Sequence, residues 1–340
     1  MGEVRVIDGH RTVLVAGGGG FIGGHLARAL AKRGHSVRVA DVKPLDEWYQ
    51  IPEGVEARRL DLSRLDECHE AVRGVDVVYN LAADMGGIGF IKSHKAECML
   101  SVLINTHLLL AARDAGVHRH FFASSACVYN VDRQVQSDVT PLKEADAYPA
   151  MAEDGYGWEK LFSERMCRHF TEDFGLETRV ARFHNVYGVN GGYDDGREKA
   201  PAALCRKIAT AVLTGNHEIE IWGDGEQTRS FMYVDDCVEA IQLVVDGQNA
   251  MPVNVGTDER VSINEMVTII ERIAGITVRR TYLPGAPLGV RGRNSDNAMF
   301  KQLYDREPTI GLADGLERTY RWIFDQMSAR QVSATQLYAI

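Results

Sequence analysis

Tyr156-Gly157-Trp158-Glu159-Lys160 sets a phenol and an ammonium four residues apart, and on a helix that spacing turns both side chains the same way. A lysine ammonium held beside a phenol stabilises the phenolate and lowers its pKa from about 10, which makes the tyrosine a usable base. Taken alone the pair also fits an ordinary helix surface. It gains meaning by following Ser124-Ser125, at the end of an apolar strand. Ser125 can then hydrogen-bond the same substrate hydroxyl that Tyr156 deprotonates, while the hydrogen on that carbon leaves for a redox cofactor. Cys127 and Lys199, read by type alone, are a small buried hydrophobe and a solvated cation.

The cofactor is indicated upstream. Val13 to Ala16 reads as a short buried strand, Gly17 to Gly20 as a turn, and Phe21 to Leu30 as a helix. Gly17, Gly20 and Gly23 stand three apart. Glycine at these places lets a pyrophosphate reach the N–H groups of the first helical residues, Phe21 and Ile22, where the helix dipole favours negative charge. A second strand, Ser36 to Ala40, ends in Asp41, whose carboxylate can accept from ribose hydroxyls and repels a 2′-phosphate. NAD is therefore expected over NADP, a preference that nearby Lys43 tempers. A third strand, Val55 to Leu60, closes in Asp61-Leu62, an acid and an apolar residue placed to meet an adenine. A fourth, Val75 to Leu81, opens through Ala82 and Ala83 into the glycine-rich run Gly86 to Phe90, and Leu81, Ala82 and Ala83 complete the cofactor-binding set.

These strands alternate with helices at about 21–30, 65–72, 96–115 and 156–174, the pattern of a Rossmann-type doubly wound parallel α/β sheet. Thr178 to Phe183 is a further strand, and past His184 the alternation loosens. The expected division is an NAD-binding domain over 1–183 with a return segment at about 230–255. A smaller, mostly C-terminal substrate-binding lobe takes 184–229 and 256–340. A chain of 340 residues is long enough for both. Its net charge of −9 argues against nucleic-acid or anionic-membrane binding. Six scattered cysteines without a C-x-x-C pair indicate neither a disulfide frame nor a metal site. The charged start, Met1 to Asp8, has no apolar signal core, and no apolar run approaches the roughly 20 residues that span a bilayer. A cytoplasmic protein is expected.

Five stretches carry a resemblance: Asn80-Leu81-Ala82-Ala83-Asp84-Met85-Gly86-Gly87-Ile88-Gly89-Phe90, Ser124-Ser125-Ala126-Cys127-Val128-Tyr129, Gly196-Arg197-Glu198-Lys199-Ala200-Pro201, Trp222 to Phe231, and Arg291-Gly292-Arg293-Asn294-Ser295-Asp296-Asn297. Over nearly its whole length the chain resembles the extended short-chain dehydrogenase/reductase family of nucleotide-sugar enzymes, and within it the branch that epimerises GDP-mannose at C3 and C5. The first, third and last stretches are the specific ones. The resemblance implies bound NAD, a GDP-sugar substrate, and an acid/base pair formed by Cys127 and Lys199 across the sugar ring. Oxidation at C4 makes the C3 and C5 hydrogens acidic, so one group can take a proton from one face while the other returns one on the opposite face. A lysine near the thiol would lower the thiol pKa.

By the same resemblance Gly86, Ser125, Ala126, Asn185, Glu198, Lys199, Ala200, Lys207, Gln227 and Thr228 contact the nucleotide or its sugar. Arg229 and Arg293 are the diphosphate clamps, since a guanidinium engages phosphate bidentately. Related 4,6-dehydratases carry an Asp-Glu pair where Ala126-Cys127 stand here, which argues against dehydration. Epimerisation at C4, C5 or C3 alone, another GDP-sugar, and an NAD-binding sensor without turnover stay open. Two departures stand out. Ser101 and Asn105 occupy places where the wider family carries Asn and Thr, and Asn130 one where the close family carries Pro. A homodimer through the helices at about 96–115 and 156–174 is expected.

Overall fold

Short β-branched runs such as Val13-Leu14-Val15 and Val77-Val78 suit strands covered on both faces, and helices with one apolar stripe supply the cover. The computed structural model describes residues 9–337, with side chains described to residue 330. The stretch Met1 to Asp8, read above as lacking a signal core, lies outside the described residues.

In chain order the elements are β1 (Thr12–Ala16), α1 (Phe21–Lys32), β2 (Ser36–Asp41), β3 (Glu56–Arg59), α2 (Leu65–Ala71), β4 (Val77–Asn80), α3 (Ile88–Ser93), α4 (Lys95–Asp114), β5 (Arg119–Ser125), α5 (Asp154–Phe174) and β6 (Glu177–Phe183). There follow β7 (Asn185–Tyr187), α6 (Ala200–Thr214), β8 (Glu218–Trp222), β9 (Thr228–Tyr233), α7 (Val234–Asp246), β10 (Val253–Val255), β11 (Arg260–Ser262), α8 (Ile263–Ala274), β12 (Arg279–Leu283), α9 (Ala298–Tyr304) and α10 (Leu312–Leu337).

Seven strands form one sheet in the order β10-β6-β5-β4-β1-β2-β3, parallel throughout. The order reverses between β1 and β4, where Val13 pairs with Val37 on one side and Val77 on the other, and ligands of such sheets lie outside the strand ends at that reversal. The chain leaves the sheet after β6 and returns as β10, with Val253 opposite Ala181. Two small sheets, β11-β9-β7 and β12-β8, belong to the remaining segments.

Alternate residues of each strand feed opposite layers, as a period of two requires. Val13, Val15, Val39 and Tyr79 pack with Leu26 and Leu30 of α1 and Ile241 and Val245 of α7. Leu14, Ala16, Val78 and Phe122 pack with Cys68 of α2, Leu108 and Leu109 of α4, and Cys167 of α5. Each such large side chain contributes roughly 1.5–3 kcal/mol on burial. By length and composition α4 is apolar enough to cross a bilayer, unlike the sequence expectation, because small and aliphatic residues dilute its few polar ones. Its Leu108, Leu109, Ala111 and Ala112 are buried in the layer just described. Met99, Leu100 and Leu103 of α4 and Trp158 and Phe162 of α5 are exposed.

Candidate active site

The glycine turn opens where β1 ends. Gly17 takes a left-handed φ of +80° and donates its N–H to the Ala40 carbonyl at 2.8 Å. A Cβ on Gly17 would come within 2.7 Å of the Ala82 nitrogen, and one on Gly23 would fall on the Gly17 carbonyl oxygen. These two glycines let α1 and the end of β4 close onto β1. Gly20 is the least crowded of the three. It caps α1 without any side-chain hydrogen bond, and a Cβ there would meet just the Gly17 oxygen, at 3.1 Å. The N–H groups of Phe21 and Ile22 follow it, in a first turn that has no intrahelical acceptors for them and contains no acid.

Asp41 is only 8 % exposed at the end of β2, with Oδ1 accepting the Lys43 N–H at 3.1 Å. Lys43 does not hang free to temper that carboxylate: its Nζ donates to the Gly19 carbonyl at 3.0 Å and sits 4.6 Å from the centre of the Tyr49 ring. The Trp48 indole lies against Gly19, and its Nε1 donates to the Lys43 carbonyl at 3.0 Å. Leu81 donates its N–H to the Ala16 carbonyl at 3.0 Å, so Leu81, Ala82 and Ala83 run on beside the turn, half-buried. Asp61-Leu62 stands just past β3. Asp61 Oδ1 is committed to the Ser63 N–H and hydroxyl, at 3.0 and 2.6 Å. Leu62 is buried in the core with Ala40 and Val72. The backbone donors at Gly20 to Ile22, beside a buried acid at the sheet's reversal, fit a dinucleotide.

β5 delivers Ser124 and Ser125 to one end of this reversal. Ser124 donates to Glu164 at 2.5 Å, and Glu164 is bound bidentately by Arg182 at 2.9 and 2.7 Å, a buried network that fixes α5 on the sheet. Ser125 caps a single turn over Ala126–Val128, its hydroxyl accepting the Cys127 N–H at 3.2 Å. That hydroxyl also favours the ionised form of the Tyr156 phenol. α5 is tied to the same turn by the Glu153 N–H, 2.8 Å from the Cys127 carbonyl, and Gly157 packs so closely that a Cβ would fall on that oxygen. α5 begins at Asp154, two residues before the helix read from sequence, so Tyr156 stands in its first turn.

The charge on Tyr156 differs from the sequence expectation. Burial pushes its phenol well above the ordinary value, Cys127 and Glu159 add to this, and only the Ser125 hydrogen bond counters them. Lys160 Nζ is 5.5 Å from the Tyr156 ring centre, 4.7 Å from that of Phe122 and 3.6 Å from the Glu159 carboxylate. Its charge is shared with Glu159. The thiol of Cys127 is likewise pushed up by burial; the Arg293 guanidinium pulls it down, Glu153 pushes it up, and hydrogen bonds from Ser125 and Arg293 pull it down. Lys199 is half-buried at the N-cap of α6, a start fixed by Pro201. Burial pushes its ammonium down, while the negative forms of Cys127 and Cys237 act the other way. Ser125, Cys127 and Tyr156 are thus brought together, with Lys199 in electrostatic reach.

Lys199 arrives on a latched loop. Gly87 donates its N–H to the Arg197 carbonyl at 2.8 Å, and Arg197 pairs with Asp84 at 2.5 Å and lies 3.9 Å from the Phe90 ring centre. A Cβ on Gly87 would fall on the Glu198 carbonyl, and one on Gly86 would meet Phe90 at 2.9 Å.

The expected diphosphate clamps are engaged otherwise. Arg293 is 6 % exposed, donating to Gln134 Oε1 at 2.6 Å, Glu153 Oε2 at 2.8 Å and Cys127 Sγ at 3.5 Å. Arg229 donates to the Thr228 and Val290 carbonyls, both at 2.6 Å. Of the other substrate-side residues, Asn185 donates to Ser230 at 3.1 Å, Lys207 to the Glu220 carbonyl at 2.6 Å and Thr228 to the Ser137 carbonyl at 2.5 Å. Ala126 is buried in the Cys127 turn and Ala200 opens α6. Gln227 Oε1 and Glu198 Oε2 are buried acceptors without a protein donor among the described residues.

Sequence reasoning missed Glu153 and Gln134, whose side chains only the return of the 289–295 segment, through Arg293, joins to the Cys127 sulfur. The departures find partners here. Asn105 Oδ1 accepts from the Asn80 amide at 3.1 Å, and Ser101 Oγ accepts the Asp84 N–H at 2.9 Å, so the strand end behind the cofactor set is still hydrogen-bonded. Asn130 caps the turn at 131–133 and donates to the Pro149 carbonyl at 3.0 Å.

A parallel sheet with a glycine turn at its reversal and a Ser-Tyr-Lys set beside it defines a nucleotide-linked redox fold. Residues 13–256 match the profile of the NAD dependent epimerase/dehydratase family, and the chain belongs to that family, with NAD as its cofactor. It is 45 % identical over 326 residues to GDP-mannose 3,5-epimerase 1 of Oryza sativa subsp. japonica, covering 96 % of this chain and 85 % of that one. The GDP-mannose 3,5-epimerase of Arabidopsis thaliana is 42 % identical over the same shares. In fold the chain is similar to the UDP-glucose 4-epimerase of Thermotoga maritima, with a TM-score of 0.84, 24 % identity, and 93 % and 99 % of the two chains covered.

Proposed function

We propose that the protein epimerises GDP-mannose at C3 and C5. The observation that carries this reading is the Cys127 thiol, set on the turn that Ser125 caps, with its carbonyl tied to the head of the helix that bears Tyr156 and its sulfur 3.5 Å from an Arg293 nitrogen. NAD would be held at Gly20 to Ile22, Asp41, Leu81 to Ala83 and Lys160, and would supply a transient oxidation at C4 and its reversal. Tyr156 as phenolate takes the proton of the C4 hydroxyl, holds it as phenol while the ketone exists and gives it back, with Ser125 orienting the oxygen. The C4 ketone acidifies C5–H. Cys127 as thiolate takes that proton, the electron pair delocalises onto the ketone oxygen, and the Lys199 ammonium delivers a proton to the opposite face of C5. Solvent resets both groups before C3 inverts in the same way. Gln227 Oε1 and Glu198 Oε2 supply acceptors for nucleotide or sugar donors, and Arg229 turns toward the diphosphate when it enters, while Arg293 stays on the Cys127 sulfur.

The reading extends to a cytosolic homodimer built on the exposed Met99, Leu100, Leu103, Trp158 and Phe162 of α4 and α5, an apolar stripe larger than a solvated helix pair needs. Light scattering at micromolar concentration is expected to give twice the chain mass. The decisive test is incubation with GDP-mannose in deuterium oxide, followed by NMR. Deuterium at both C3 and C5 with GDP-L-galactose or GDP-L-gulose appearing is expected. Label at one carbon makes the enzyme a narrower epimerase, and exchange at neither carbon overturns the reading.

A further inference from the structure

The surroundings of Cys127 contain a charged residue that the epimerisation scheme leaves unused. Glu153 is 7 % exposed, directly before α5. It is joined to the Cys127 turn twice. Its backbone N–H donates to the Cys127 carbonyl at 2.8 Å, and its Oε2 accepts from Arg293 at 2.8 Å while another guanidinium nitrogen of Arg293 reaches Cys127 Sγ at 3.5 Å. Gln134 Oε1 takes the remaining edge of the guanidinium, at Nε, 2.6 Å away. Gln134 is itself fixed. Its backbone carbonyl accepts the Arg291 and Gly292 N–H groups at 2.9 and 3.2 Å, and its amide donates to the Tyr129 and Asn130 carbonyls at 3.3 and 3.1 Å. A planar guanidinium held along two edges by fixed acceptors has one orientation left for its third, and here that edge meets the sulfur.

We propose that Glu153 is a positioning residue for the epimerisation: with Gln134 it clamps Arg293 so that one guanidinium N–H stays on the Cys127 sulfur, and its carboxylate balances the cation beside the thiol. This rests on the reading of Cys127 as the proton-transfer group. The groups facing the sulfur are the Ser125 hydroxyl from β5, Glu153 and Tyr156 from α5, Arg293 with Arg229 nearby from the substrate segments, Lys199 from the start of α6, and Cys98 from α4. Of these Arg293 favours the thiolate and Glu153 opposes it. Without Glu153, a buried guanidinium would face the thiol uncompensated. Without the reach of Glu153, the guanidinium would be free to swing off the sulfur.

Two conservative variants separate reach from charge. Glu153→Gln keeps an acceptor at the same distance and removes the charge. Glu153→Asp keeps the charge and falls one methylene short. The first readout is alkylation of Cys127 by iodoacetamide against pH, followed by peptide mass spectrometry, in the NAD-loaded protein without any sugar. The reaction displaces iodide from carbon by the thiolate, so its rate follows the thiolate fraction. Glu153→Gln is expected to alkylate about tenfold faster at pH 7, as for a midpoint lowered by one unit, and Glu153→Asp several-fold more slowly than the parent. In the second readout, exchange into GDP-mannose, Glu153→Asp is expected to lose turnover with little change in KM, and Glu153→Gln to restore most of it. Equal alkylation profiles in all three proteins, with matched thermal melts and NAD content, would overturn the proposal. Because alkylation needs no substrate, that result is distinguishable from failure of the GDP-mannose reading, which would show as parent protein that alkylates as expected but exchanges nothing.

Discussion

The turn at Gly17 to Gly20 draws its contacts from β1, β2 and β4, three adjoining strands of one sheet, and from the nearby segment of Lys43 and Trp48. The surroundings of Cys127 are assembled instead from β5, the start of α5, the loop before α6 and the 289–295 segment, with a contact spanning 166 residues between Cys127 and Arg293. The first region is local and held by backbone; the second depends on side chains meeting across the chain. Damage to one should therefore leave the other standing.

The largest effect that tests this separation is Cys127→Ala. Exchange at C3 and C5 is expected to fall by about 10²–10⁴-fold, the range for loss of a general acid–base group, while bound NAD, read by absorbance after denaturation, stays at the parent level. Loss of NAD as well would show that the two regions are one. Acid probes the sheet. Burial lowers both His120 and His184 to about 3, against about 6.5 in the unfolded chain. Because the folded values are the lower ones, the stability they confer is present above pH 6.5 and is lost as pH falls below it. Between pH 6.5 and 5.5 the two together should remove about 2 kcal/mol, seen as a falling denaturation midpoint. Neither ring nitrogen of His120 has a partner among the described residues, so His120→Leu should halve that loss without costing a hydrogen bond.

A smaller effect is expected from Gly23→Ala, whose new methyl would strike the Gly17 carbonyl. Overpacking of this kind costs about 1–3 kcal/mol, and it should lower NAD retention more than it lowers the alkylation rate of Cys127. Smallest is Tyr49→Phe. The Tyr49 hydroxyl donates to Asp195 at 2.7 Å, joining the cover of the glycine turn to the loop that leads to Lys199. An exposed hydrogen bond contributes about 0.5–1.5 kcal/mol, so NAD should leave several-fold faster, by stopped-flow fluorescence, with exchange in the saturated enzyme unchanged.

What could be read from the sequence follows the same division. The order strand, glycines, helix, strand, acid is carried by contiguous residues, and the sheet appears as expected from β1 to β6. The reasons for individual glycines were not legible, because whether a missing Cβ clears a ligand or a neighbouring strand depends on where β4 lies. Tyr156 and Ser125 were legible as a pair, since helix spacing and a strand end place them. The unfavourable charge on Tyr156 was not, since it comes from burial and from the neighbouring Cys127 and Glu159. Arg293 was legible as a cation of the site but not as a partner of the thiol, because its orientation is fixed by Gln134 and Glu153, which lie 159 and 140 residues away in the chain.

The latch between Gly87 and Arg197 has a mechanical consequence. Lys199 belongs by sequence to the segment after β7, yet Gly87, Asp84 and Phe90 tie its loop to the strand end that follows β4. If the substrate segments swing away to admit a nucleotide, the hinge falls C-terminal to Lys199, and the lysine travels with Tyr156 and Cys127 as part of the stationary frame. The spacing of Lys199 from Cys127 is then set before any ligand arrives.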